Sequence, residues 1–212
     1  MHPALSVIFF TVVSGAGYGL FVMLFALAFL DIIDISRNAA LTAAILSIVL
    51  ISAGLLSSTF HLANPKNAWR SFMRFKTSWL SREAVFAVLF YPFALLFTLG
   101  VFMSDAGAAP LRMSGFFWLM GLLGMILALI TVFSTGMIYG CLKTIRQWNT
   151  ALTPANYILL GLMLGSLALT AIMGVMDGNV AGVSAITLMV ITGAAILKAI
   201  YFFWVKKVTG PT

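Results

Sequence analysis

Charged residues make up only 8% of this 212-residue chain, and only five of them are acidic. A soluble globular domain carries roughly 25% charged residues, so water is not its principal solvent. Cysteine is confined to Cys141, which excludes a disulfide framework and any cysteine cluster for zinc or iron–sulfur chemistry. Histidine occurs twice, at His2 and His61, too sparsely to supply the two well-placed imidazoles of a bis-histidine haem. Transition-metal ligand sets are likewise missing. The chain holds no P-loop, glycine-rich dinucleotide fingerprint or nucleophile elbow in a soluble context. Any electrons handled by this protein therefore pass to metal centres on a partner.

What the chain has in quantity is apolar sequence, 62% of its residues. Six long runs are readable, at about 5–30, 38–60, 84–104, 113–140, 155–176 and 183–205. Each is long enough as a helix to cross a hydrocarbon core of roughly 30 Å, and only helices satisfy the backbone of such single runs in lipid. The expected fold is an all-α integral membrane protein, a bundle of about six transmembrane helices forming one domain over 1–212. The first run lacks a basic leader and is too long for a signal-peptide core, so it is expected to stay as a helix. The interruptions are polar: Asp31, Asp34 and Arg37 in the first, Ser104, Asp105, Gly107 and Pro110 in the third. Asn149, Thr150 and Pro154 close the fourth, and Asp177, Gly178 and Asn179 make the fifth.

With six spans, the N-terminus, the 61–83 loop, the 141–154 loop and the C-terminal tail share one face. That face holds Lys66, Arg70, Arg74, Lys76, Arg82, Lys143, Arg146, Lys206 and Lys207, whereas the other holds Arg37 and Arg112. This asymmetry is the positive-inside signature rather than a nucleic-acid footprint, and it predicts both termini and the 61–83 loop on the cytoplasmic side of a bacterial inner membrane. Lys198 falls within the sixth run, close enough to its end to snorkel to that face. Gly15 with Gly19, Gly136 with Gly140 and Gly161 with Gly165 have the spacing that lets helices approach closely.

Residues 61–83 are the most polar part of the chain. Asn64 and Pro65 suit a helix start. Lys66, Arg70 and Arg74 follow at four-residue spacing, with Trp69, Phe72, Met73 and Lys76 on a neighbouring face. The pattern predicts a short interfacial helix, its aromatic side toward lipid and its basic side toward water. Trp79 is a further interfacial anchor, and Ser81 is expected to cap the third span with Glu83 in its first turn. His61 ends the second span and Glu83 begins the third, so the loop brings both back to one membrane surface. An imidazole and a carboxylate at that boundary suit proton exchange with a lipid-soluble substrate. Plain structural roles remain open for both: Glu83 favours the helix dipole, His61 can cap carbonyls, and the basic run can bind anionic headgroups.

Two blocks, HLANPKNAWRSFMRFKTSWLSRE at 61–83 and MIYGCLKTIRQWNTALTPANYILLG at 137–161, resemble the DmsC-type membrane anchors of dimethyl-sulfoxide-reductase-type molybdenum enzymes. The first carries a His-Leu-x-x-Pro…Ala…Ser-x-Leu-Ser-x-Glu pattern. The second is similar to anchors of cytoplasm-facing sulfite dehydrogenases in that family. The resemblance implies a three-part enzyme with a molybdopterin catalytic subunit, an iron–sulfur subunit, and an anchor that exchanges electrons and protons with quinone and carries no haem. Its quinone-site histidine and glutamate fall on His61 and Glu83, with Arg82 and Trp79 beside them. Lys66, Arg70, Arg74, Lys76, Lys143 and Arg146 are then the expected docking face for an acidic patch of the iron–sulfur subunit, and Arg146, Trp148 and Asn149 border the site. Members of the family commonly have eight spans, against six readable here. The expected function is quinone-linked sulfite oxidation. The alternatives are quinol oxidation for a sulfoxide reductase and a purely structural anchor, with a small transporter ranking below these because no internal repeat or mid-membrane acidic pair is present.

Overall fold

A computed structural model describes residues 5–59, 69, 72–105 and 111–209. It contains six α-helices and, among the described residues, no strand: α1 (Leu5–Phe29), α2 (Arg37–Thr59), α3 (Trp79–Met103), α4 (Gly115–Gly140), α5 (Leu152–Met176) and α6 (Ala181–Thr209). The shortest has 23 residues and reaches about 34 Å at ~1.5 Å per residue, more than the ~30 Å hydrocarbon core. All six are apolar enough to cross a membrane. Helices that alternate in direction place the starts of α1, α3 and α5 at one end of the bundle with the ends of α2, α4 and α6.

Two helix starts, those of α3 and α5, lie well upstream of the sequence expectation, and both have a local cause. Helix α3 begins at Trp79 because Ser78, in extended conformation, is its N-cap: its side chain accepts a hydrogen bond from the Ser81 backbone N–H. Ser81 is therefore inside the helix and buried, and Glu83 lies beyond the first turn. Helix α5 begins at Leu152, upstream of Pro154, because a proline in the first turn forfeits no intrahelical hydrogen bond. The preceding loop is fixed by Asn149, whose Nδ2 donates to the Gly140 carbonyl at 2.7 Å, and by Thr153 Oγ1 donating to the Trp148 carbonyl at 2.7 Å. Within the segment expected as an interfacial helix, residues 72–74 form a 3₁₀ turn, and Trp69, Phe72, Met73 and Phe75 are exposed.

Helix α1 is the centre of the bundle and packs against α2, α4 and α5; α3 lies on α4, and α6 packs on α5. Glycine makes the α1–α5 contact possible. A Cβ on Gly19 would run into the Gly161 carbonyl, and one on Gly165 into the backbone of Gly19. Backbones this close gain the dispersion contacts that drive helix association in lipid. Toward the other end, Phe21, Phe25, Phe90 and Phe97 fill the space between α1 and α3. Their rings meet edge-to-face, at 5.0 Å for Phe21–Phe90 and 5.6 Å for Phe25–Phe97. That end is tied by polar contacts as well: the Asp177 carboxylate accepts from the Ser36 hydroxyl and, at 3.3 Å, from its backbone N–H. Arg37 donates to the Phe102 carbonyl at 2.5 Å.

Candidate functional site

Because Ser78 caps α3, Glu83 is carried more than one turn into the helix, on the face turned toward α4. Only 4% of it is exposed. Thr135 of α4 meets it there, its Oγ1 donating to Glu83 Oε1 at 2.5 Å. The same hydroxyl also stands 3.1 Å from the Thr131 carbonyl one turn back. A carboxyl this deep, away from the helix N-terminus, is not explained as a partner for the helix dipole, whose influence fades within the first turn.

Thr135 separates Glu83 from open space. It lines a cavity of about 340 Å³, together with Thr11, Ser14 and Tyr18 of α1, Tyr157 of α5 and Lys198 of α6. A second cavity of about 420 Å³ shares Thr11, Tyr157 and Lys198 with the first. It continues toward the end of the bundle where α1 begins, past Tyr139, Asn156 and Tyr201 to Trp148 on the loop between α4 and α5. Both volumes fall within the range of about 300–1,000 Å³ usual for small-molecule sites. Aromatic rings give the wider cavity flat walls: Tyr139 and Tyr157 stack at 5.9 Å with only 14° between their planes, and Trp148 meets Tyr139 edge-on at 5.4 Å. Tyr201 is held against the loop by donating its hydroxyl to the Gln147 carbonyl at 3.1 Å.

Three polar groups in these walls are poorly satisfied. Asn156, 6% exposed, spends its Nδ2 on the Leu152 carbonyl at 2.7 Å, while its Oδ1 has no hydrogen-bond partner among the described residues. The buried Tyr18 hydroxyl is likewise unpaired there. Lys198 borders both cavities. Its ammonium stands 5.3 Å from the Tyr201 and Phe202 ring centroids, and no carboxylate pairs with it among the described residues. The sequence expectation had Lys198 close enough to the end of its span to snorkel; the structure places it half-buried, at the border of both cavities. Unpaired polar groups inside a membrane bundle are costly, which makes this space a place for a ligand with hydrogen-bonding capacity.

The other expected site residues are distributed as follows. His61, Lys66 and Arg70 lie outside the described residues. Trp79 and Arg82 are near Glu83 in sequence but point elsewhere, and neither lines the cavities. The Arg82 guanidinium stacks 4.2 Å from the Trp79 ring centroid and donates to the carbonyls of Phe75 and Lys76 at 3.0 and 2.9 Å. Trp79 in turn meets Phe133 edge-on at 5.7 Å. Arg74, Lys76, Lys143 and Arg146 are exposed at the end of the bundle where the wider cavity lies. Of the three loop residues expected to border the site, Trp148 lines the wider cavity. Arg146 and Asn149 do not line that cavity. Thr135, Asn156, Tyr157 and Lys198 were not singled out as site residues from the sequence. The clue available was a set of polar side chains inside apolar runs, which default to function in membrane helices.

A multi-pass membrane protein with a buried carboxyl beside a polar, aromatic-walled cavity is the class these features define. A family model described as "DMSO reductase anchor subunit (DmsC)" matches residues 1–208, and the chain belongs to that family. It is also similar to a sulfite dehydrogenase subunit from Allochromatium vinosum, at 37% identity over 172 residues, covering 76% of this chain and 52% of the relative. The chain thus spans about half the length of that curated relative. No solved structure matches it.

Proposed function

We propose that this chain is the quinone-reactive membrane anchor of a three-part oxidoreductase, with molybdopterin and iron–sulfur clusters on two partner subunits, and that the complex oxidises sulfite. The family and the name of the curated relative support the setting. The observation that carries the quinone role is the Glu83–Thr135 hydrogen bond at the wall of the cavity. Aromatic walls and unpaired polar atoms suit a flat, lipid-soluble ring with an oxygen at each end.

A bound quinone supplies a two-electron, two-proton couple, taking two electrons from the iron–sulfur subunit and two protons to become quinol. This chain's part is to hold the ring and to move the protons. Glu83 keeps a proton out of contact with lipid and water, and Thr135, with one side toward Glu83 and the other toward the cavity, is the group through which it passes. His61 is assigned the hydrogen bond to a ring oxygen. The exposed cations Arg74, Lys76, Lys143 and Arg146, with Lys66 and Arg70, orient the acidic partner over the same end. Quinol oxidation for a sulfoxide reductase, which the family description favours, would use the same residues in reverse order.

Glu83→Gln tests the reading, since the amide can still accept from Thr135 but cannot release a proton. Quinone-linked turnover of the assembled complex should fall by roughly a hundred-fold or more, the usual worth of a general acid–base group. Turnover with a soluble dye acceptor should persist. Unchanged quinone-linked rates would leave this chain a structural anchor.

A further inference from the structure

The wider cavity, which shares Thr11, Tyr157 and Lys198 with the one beside Thr135, holds groups on α5 and α6 that neither the packing nor the proton route uses. We propose that Asn156 and Lys198 are further polar contacts of the quinone ring, with the ring lying in the aromatic-walled cavity lined by α1, α4, α5 and α6. The inference rests on the quinone reading above and adds to it the place and the residues of binding.

Three observations carry it. Asn156 has one end of its amide fastened to its own helix by the bond to the Leu152 carbonyl, which fixes the side chain and leaves Oδ1 as a buried acceptor with no donor among the described residues. An atom in that state costs stability unless something donates to it, and a quinol hydroxyl is such a donor. Lys198 supplies the complementary character, an ammonium at the cavity wall that stands near the Tyr201 and Phe202 rings and has no carboxylate partner among the described residues; it donates to a carbonyl oxygen of the oxidised ring. Between them the parallel Tyr139 and Tyr157 pair offers an edge and face geometry for a planar ring. One wall then suits either redox form, Lys198 serving carbonyl oxygens and Asn156 serving hydroxyls.

A phospholipid phosphate is the competing occupant, because Lys198 is a cation near the end of a membrane helix. Lys198 is the one charged residue in the lining of this cavity among the described residues, whereas the rest of the wall is aromatic, apolar or neutral polar. Such a wall suits a neutral ring with oxygens at both ends better than a phosphate.

The test is photolabelling of membranes containing the complex with a short-tailed azido-benzoquinone, followed by peptide mapping with and without excess unlabelled quinone. Competed adducts on the peptides that contain Asn156–Tyr157 or Lys198–Tyr201 are the expected result. Lys198→Met and Asn156→Leu should each lower the labelling affinity about two- to ten-fold, as expected for one hydrogen bond lost. Lys198→Arg, which keeps the donor, should restore most of it. Competed adducts confined to the 61–83 segment would overturn the inference and leave the proposed function standing. Absence of any competed adduct on this chain would overturn both. If instead Lys198→Met strips a bound phospholipid from the purified complex, seen by native mass spectrometry, while quinone labelling is unchanged, the cavity belongs to lipid and the inference fails.

Discussion

Thr135 has a single hydroxyl proton and two acceptors within reach, Glu83 Oε1 at 2.5 Å and the Thr131 carbonyl at 3.1 Å. With Glu83 ionised, the proton must serve one acceptor and leave the other. With Glu83 protonated, both short contacts become hydrogen bonds at once: the carboxyl donates to Thr135 Oγ1, and Thr135 donates to Thr131. The pair is thus a two-position switch that follows the proton on Glu83, and the threonine is a positioning residue for it. Thr135→Val keeps the shape and removes the hydroxyl. It leaves a buried carboxyl without its partner, so stability should drop by about 1–3 kcal/mol, read from the thermal midpoint of the detergent-solubilised complex. Quinone-linked turnover should fall as well, with dye-linked turnover retained. Thr135→Ser should recover both, because the hydroxyl returns with only a methyl missing. A valine variant of normal midpoint and normal quinone rate would remove Thr135 from the mechanism.

At the scale of helices, the α1–α5 contact sets the width of the cavity, since both helices line it. The glycines at that contact are not equivalent. A Cβ at Gly15 meets nothing within 4 Å, whereas one at Gly19 or Gly165 would enter the backbone of the facing helix. Gly15→Ala should therefore leave the thermal midpoint where it is. Gly19→Ala and Gly165→Ala should lower it, by the roughly 1–3 kcal/mol typical of overpacking, and widen the α1–α5 gap. Equal midpoints for Gly15→Ala and Gly19→Ala would refute the contact. The spans themselves were legible in the sequence, because a helix that must cross lipid leaves a long apolar run and polar breaks. Glu83 was legible too, as a rare carboxyl at a span boundary. How the helices are rotated was not. In water an amphipathic stripe shows which face is buried, but a lipid-facing surface is as apolar as the core, so the pattern carries almost no direction. Thr135 is 52 residues from Glu83, and Asn156 and Lys198 sit on two further helices. Nothing local in the sequence told that these faces turn toward one space. The start of α3 was misplaced for a different reason: Ser78 and Ser81 both suit an N-cap, and the choice depends on the turn at 75–77 that precedes them.

For the molecule as a whole, the cavity, the exposed cations and the ends of α2, α4 and α6 fall at the same end, so the proposed electron route requires that end to face the iron–sulfur subunit in the cytoplasm. The charge asymmetry argues for this orientation: among the described residues Arg74, Lys76, Arg82, Lys143, Arg146, Lys206 and Lys207 lie at that end, against Arg37 and Arg112 at the other. Cys141 makes it measurable. It is the chain's only cysteine, it is exposed, and it directly follows α4 on the basic loop. A membrane-impermeant maleimide should leave it unmodified in intact spheroplasts and modify it in inverted vesicles, with full labelling in denaturing detergent as the control. Rapid modification in spheroplasts would reverse the topology and, with it, the placement of the docking face. The same thiol reports on docking, because Lys143 and Arg146 lie within five residues of it. Inverted vesicles carrying the assembled complex should label more slowly than those carrying this chain alone. A salt wash should narrow the difference, since charge pairing between exposed surfaces weakens with ionic strength. Equal rates with and without the partner subunits would show that the basic loop is not where they sit, and would leave its charges the single task of fixing the chain's direction in the membrane.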